Sequence, residues 1–132
     1  MITKKGREGG FSLLELAIAM IIIGILVAVV ILLATGFFSK AREAGLQADL
    51  RAMHNAVGAY MIQSNKTPTA DGKIPLSGEY ALIDFDASFT QGLKTFKFYP
   101  DFLERLPKHH DEGLWRIDSV ASVSVDIDPE EY

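Results

Sequence analysis

Residues 4–31 read KKGREGGFSLLELAIAMIIIGILVAVVI, and this stretch decides how the rest of the chain is organised. Three bases (Lys4, Lys5, Arg7) come first, then a Gly9-Gly10 pair, then Phe11, Ser12, two leucines and Glu15. From Leu16 to Phe38 run 23 residues without a charge, interrupted only by Gly24, Thr35 and Gly36. A bilayer span needs about 20 apolar residues, and a small-domain core helix is not apolar on every face over such a length. The apolar region of a secretory signal peptide is shorter, about 7–15 residues, and its small-residue cleavage site follows it. Here the glycine pair precedes the block. The block therefore reads as a single membrane-spanning helix. Its short basic tail favours an N-terminus inside and the acidic remainder outside.

Glu15 is the only charge between Glu8 and Lys40. An ionisable group at the edge of a span is costly unless it has a use; the bland alternative is a carboxylate reaching out to the headgroups. Basic leader, glycine, phenylalanine, glutamate and apolar span all occur in one register. Over residues 5–40 the chain resembles the class III signal of type IV pilins and the related pseudopilins.

That resemblance implies specific chemistry. A membrane-embedded prepilin peptidase would cut between Gly10 and Phe11 and methylate the new amino group of Phe11. The leader would be residues 1–10. Gly10, lacking a side chain, would let extended backbone enter a narrow cleft. Glu15, one helical turn after Phe11, would meet the positive N-terminus of a neighbouring subunit and set the register of assembly. Such a pair counts for more in low dielectric than at a surface. Many pilins carry a mid-helix proline near Leu32; this chain has none before Pro68. Gly24 is then the point at which a packed helix would soften.

Beyond the span the helical signal continues. No proline occurs from Ser39 to Ser64, and Leu46, Leu50, Met53, Val57, Tyr60 and Met61 recur at three- and four-residue steps, one apolar stripe that reads as core packing. Arg42, Glu43, Asp49 and Arg51 read as polar positions around it. Asn65 and Pro68 are stop signals, giving one helix over about Ser12–Ser64. Residues 65–78, with two prolines and two glycines, read as a loop. After it the period changes to two: Ala81, Ile83, Phe85; Phe96, Phe98; Trp115, Ile117; Val123, Val125, Ile127. These predict three or four short strands in an antiparallel meander with one buried face. Gln91-Gly92 and Glu112-Gly113 suit turns, and residues 100–108 read as a loop with one helical turn. The predicted fold is α+β, a long N-terminal helix packed on a small antiparallel sheet of three to four strands. The segments are a leader (1–10), a transmembrane and filament-core helix (11–38) and a globular head (39–132).

Composition narrows the chemistry. The 132 residues carry 13 Lys and Arg against 17 Asp and Glu, and no cysteine. A net charge of −4 argues against nucleic acid as a partner. Without cysteine there is no disulfide, thiolate metal site or cysteine nucleophile. His109-His110-Asp111-Glu112 reads as a solvated turn rather than a metal site. Asp126, Asp128, Glu130 and Glu131 read as a solvated acidic end, lacking the spaced loop calcium prefers. His54, with no acidic neighbour in its stripe, reads as a surface or groove residue. No catalytic motif, cofactor site or metal site is expected.

The resemblance implies a structural filament subunit, not an enzyme: a type IV pilus-like homopolymer held through the apolar helix. Its partners would be copies of itself, the prepilin peptidase, the inner-membrane assembly platform and the membrane. It would sit in the inner membrane before assembly, and in an extracellular pilus or periplasmic pseudopilus afterwards. One alternative is a pseudopilin of a type II secretion system; another is an uncleaved, single-pass anchored binding protein. Loss of residues 1–10 would leave 10 basic and 16 acidic side chains, so the assembled surface should be acidic.

Overall fold

The computed structural model describes residues 10–132; the expected leader up to Gly9 lies outside the described residues. A single α-helix, α1, spans Leu13–Ser64 (52 residues), one residue shorter than predicted. Gly24, the weak point suggested for a packed filament, is helical in the single chain. The chain divides into two compact units, one ending at Phe38 and the other comprising Ser39–Tyr132.

The first unit is the apolar part of α1. Its large side chains are open on every face, with Leu13 at 87%, Leu32 at 76% and Phe37 at 70% exposed. The helix is long and apolar enough to cross a membrane. Its backbone donors and acceptors are satisfied within the helix, the condition for entering lipid.

The second unit forms around the remainder of α1. Of the predicted stripe, Leu46, Met53, Val57 and Tyr60 are buried and Leu50 and Met61 half-buried. They share one core with Ile83, Phe98, Leu103, Trp115, Ile117 and Val123. Burial of a side chain such as Met53 or Val57 stabilises by about 1.5–3 kcal/mol. Tyr60 stands edge-on to Phe89, Phe98 and Phe102 at 5.1, 5.6 and 5.4 Å between centroids, a favourable arrangement of ring quadrupoles. The helix stops where expected. Asn65 takes a left-handed φ of 57°, its N–H donates to the Met61 carbonyl at 2.8 Å, and the last turn is closed in the way asparagine permits.

The predicted α+β arrangement forms: the helix packs with an antiparallel sheet of three strands, and among the described residues a two-stranded hairpin adds to it. β1 (Ala81–Leu82), β4 (Trp115–Ile117) and β5 (Val123–Val125) make an antiparallel sheet in the order β1-β4-β5. β2 (Ser88–Gln91) and β3 (Lys94–Lys97) make a separate hairpin. β2 escapes a period-two reading because Phe89 is its only apolar residue. The run Ala81–Phe85 is strand only at its start; beyond it, Ile83 makes a lone bridge to Thr69. The helical turn expected after residue 100 begins at Phe98 and runs to Phe102, with Tyr99 extended (φ −114°, ψ 131°).

The 65–78 segment is irregular, as its composition predicts, and part of it is inside: Thr67, Pro68 and Thr69 are buried, and both threonine hydroxyls donate to the Lys73 carbonyl, at 2.6 and 2.8 Å. Their polar atoms are thus satisfied inside, as burial demands. Asp49 is not a polar flank of the stripe but is itself buried. Arg105 Nη2 donates to its Oδ1 at 2.5 Å; the Tyr132 hydroxyl and the Lys108 N–H both donate to Oδ2, the latter at 3.4 Å. Lys108 Nζ donates to the Tyr132 carbonyl at 2.9 Å. This group pins residues 105–108 and Tyr132 onto α1.

Burial of the phenol, and its bond to the Asp49 carboxylate, push the Tyr132 pKa well above its usual value. A raised pKa means that the neutral phenol favours the folded state. Its contribution is complete below about pH 10, the unfolded value, and is lost as the pH rises further. Thermal unfolding of the full chain in detergent, followed by fluorescence of its one tryptophan, the buried Trp115, tests this. Tyr132→Phe should cost about 1 kcal/mol near neutrality and flatten the loss above pH 10. Asp49→Ala, which strands the buried hydroxyl, should cost about 2–3 kcal/mol.

Candidate assembly site at the start of the helix

Gly10, Phe11 and Ser12 precede the first turn in non-helical conformation. Gly10 is exposed, and a Cβ built on it would meet nothing within 4 Å. The described residues therefore make no packing demand for glycine at this position. Phe11 is 92% exposed.

Ser12 is the N-cap. Its carbonyl accepts the Leu16 N–H at 3.1 Å. Its Oγ accepts the Glu15 N–H at 3.1 Å, and its own N–H donates to Glu15 Oε2 at 3.0 Å. This reciprocal pair is a capping box, which satisfies two backbone donors that a helix start leaves unpaired. The signal was in the sequence as Ser12-Leu13-Leu14-Glu15, serine then glutamate three residues on, just before an apolar run.

The geometry changes what Glu15 has to offer. One carboxylate oxygen is occupied by Ser12, and the negative charge sits at the positive end of the helix dipole. Among the described residues, Lys and Arg form an ion pair only at Arg105–Asp49. Glu15 is thus held in place by its cap, without a cationic partner among the described residues. An ammonium group brought to it would find a fixed carboxylate with one oxygen unoccupied.

The remaining candidates fall elsewhere. His109 takes a left-handed φ of 55°, and its Nδ1 lies 2.8 Å from Glu112 Oε1, a local turn. The carboxylates of Asp126, Asp128, Glu130 and Glu131 are exposed. His54 is exposed, yet it accepts the Val123 N–H on Nε2 at 3.2 Å while Nδ1 lies 2.8 Å from the Leu50 carbonyl. One neutral tautomer meets both contacts, so the ring stitches α1 to β5. Among the described residues no three His, Asp or Glu side chains are grouped to hold a metal.

Comparison with known proteins bears on the same segment. Residues 5–31 match the prokaryotic N-terminal methylation motif. The chain is 34% identical over 68 residues to the type II secretion system core protein G of Aeromonas hydrophila, covering 52% of this chain and 48% of that protein. It is 37% identical over 65 residues to the major component of the type IV narrow pilus of Thermus thermophilus, covering 49% of this chain and 56% of that one. The chain spans about half the length of the curated relatives it matches. No solved structure matches it. The methylation motif, on the segment where Ser12 and Glu15 cap the helix, and the two relatives together support a pilin or pseudopilin family for this chain.

Proposed function

We propose that the chain is a structural subunit of a type IV pilus-like filament, cut between Gly10 and Phe11, methylated on Phe11, and polymerised through the apolar part of α1. The observation that carries this reading is the methylation motif over residues 5–31, on a helix whose apolar part is exposed among the described residues. Removed from lipid, that surface must be buried, and copies of the same helix are the available cover. The N-terminus faces the cytoplasm before cleavage, and an inner-membrane assembly platform extracts the processed subunit. Glu15, fixed by its cap, receives the Phe11 ammonium of a neighbouring copy. Ser12 and Glu15 are thus one device, the serine holding the carboxylate ready.

A pseudopilin of a type II secretion system is the second reading, favoured by the similarity to core protein G. It uses the same processing and the same helix, and differs in where the filament ends. Filaments sheared from the cell surface that contain this chain would select the first reading; filaments confined to the periplasm would select the second. An uncleaved, anchored binding protein would keep its original N-terminus, which intact-mass measurement would detect.

Two substitutions test the site. Gly10→Val, which the fold tolerates, should leave residues 1–10 attached; a mature N-terminus at Phe11 in that variant would refute the cleavage assignment. Glu15→Ala should yield processed subunits that assemble poorly, whereas Ser12→Ala should weaken the cap by about 1 kcal/mol and reduce assembly less. Filament yield relative to processed subunit reads both, and equal yields for Glu15→Ala and the parent chain would sink the register role.

A further inference from the structure

Among the large apolar side chains that the head leaves exposed, Leu93 stands most fully in solvent. β2 and β3 are joined by the two-residue loop Gly92-Leu93, flanked by the pair Gln91 and Lys94. Gly92 has φ +64°, the conformation for which such a tight turn favours glycine. Leu93 is 108% exposed, the highest value among the large apolar side chains. It stands at the hairpin tip beside Lys94, and the hairpin has no acidic residue.

The same unit carries a receptor of matching character. Ile74, Pro75, Leu76 and Tyr80 line a cavity of about 320 Å³ with Asp71, Lys73 and Glu79 at its sides. Ile74, Leu76 and Tyr80 are each about half exposed or more. The loop that builds it is held in shape. The Thr67 and Thr69 hydroxyls anchor the Lys73 carbonyl, and the Glu79 N–H donates to the Leu76 carbonyl at 3.0 Å. Binding there would require little ordering of the backbone, which favours affinity. The acids outnumber Lys73 two to one, opposite in sign to the hairpin tip.

We propose that the Leu93-Lys94 hairpin tip of one head docks into the Ile74–Tyr80 groove of a second copy of this chain. Leu93 fills the apolar floor, and Lys94 faces Asp71 and Glu79. Knob and groove are different parts of the head, so each copy gives one and receives one. Such a contact joins unlike surfaces and repeats along an open series. The proposal rests on the filament reading, because a weak contact of this size needs the roughly millimolar effective concentration that tethering supplies.

The test uses the full chain in its native membrane, where the absence of cysteine gives a clean background. Differently tagged Leu93→Cys and Leu76→Cys chains are co-expressed and treated with a mild oxidant. Disulfide formation requires Cα atoms within about 7 Å, so a mixed dimer reports the docked pair and no intrachain link can mimic it. The expected result is a mixed dimer more abundant than either homodimer. It should be lost with Lys94→Glu on the Leu93→Cys chain and regained when Glu79→Lys is added to the other. Leu93→Cys homodimers as abundant as the mixed species would overturn the docking in favour of a symmetric contact. Filaments that form without any mixed dimer would overturn the docking alone. Processed parent chains that never form filaments would bring down the filament reading, and this contact with it.

Discussion

An α-helix can satisfy its backbone internally and still be unable to remain in water, because its side chains decide the solvent. The part of α1 before Ser39 has apolar side chains on all faces, so only lipid or other apolar helices can surround it. Everything else in the molecule accommodates that constraint. The capping pair, Ser12 and Glu15, lies at the start of this segment. The soluble part of the chain begins where the helix first acquires a one-sided stripe.

That division was legible in the sequence because it rests on long, repetitive signals. Twenty-three uncharged residues in a row, followed by apolar residues at three- and four-residue steps, leave little room for another reading. The head's sheets were less legible, for a physical reason. Strands of two to four residues carry at most two inward side chains, too few to establish a period. β2 has one, Phe89, whose stacking on Phe96 at 5.3 Å holds the hairpin together across the strands. Neither residue announces the other along the chain.

Asp49 and Ser12 differ in how far along the chain their partners lie. An aspartate beside an apolar stripe reads as solvated unless its partners are known. Here those partners, Arg105, Lys108 and Tyr132, come from 56 to 83 residues away, so no local pattern could reveal them. Ser12 was the opposite case. Its partner is only three residues distant, so the pattern Ser12-Leu13-Leu14-Glu15 is legible along the chain itself. The local cap and the proposed intersubunit role are compatible, because among the described residues the cap engages one carboxylate oxygen of Glu15.

The brevity of the strands has a further consequence. A polymer keeps its heads at high local concentration, where exposed strand edges could recruit one another into unintended sheets. An edge of two or three residues, such as β1 or β5, can form only a few ladder bonds before the chain turns away, and β3 places a lysine at each end of its edge. Short or lysine-bearing edges are among the means by which proteins discourage edge-to-edge pairing. Copies of this head brought close together could thus touch through side chains without their backbones fusing into a common sheet.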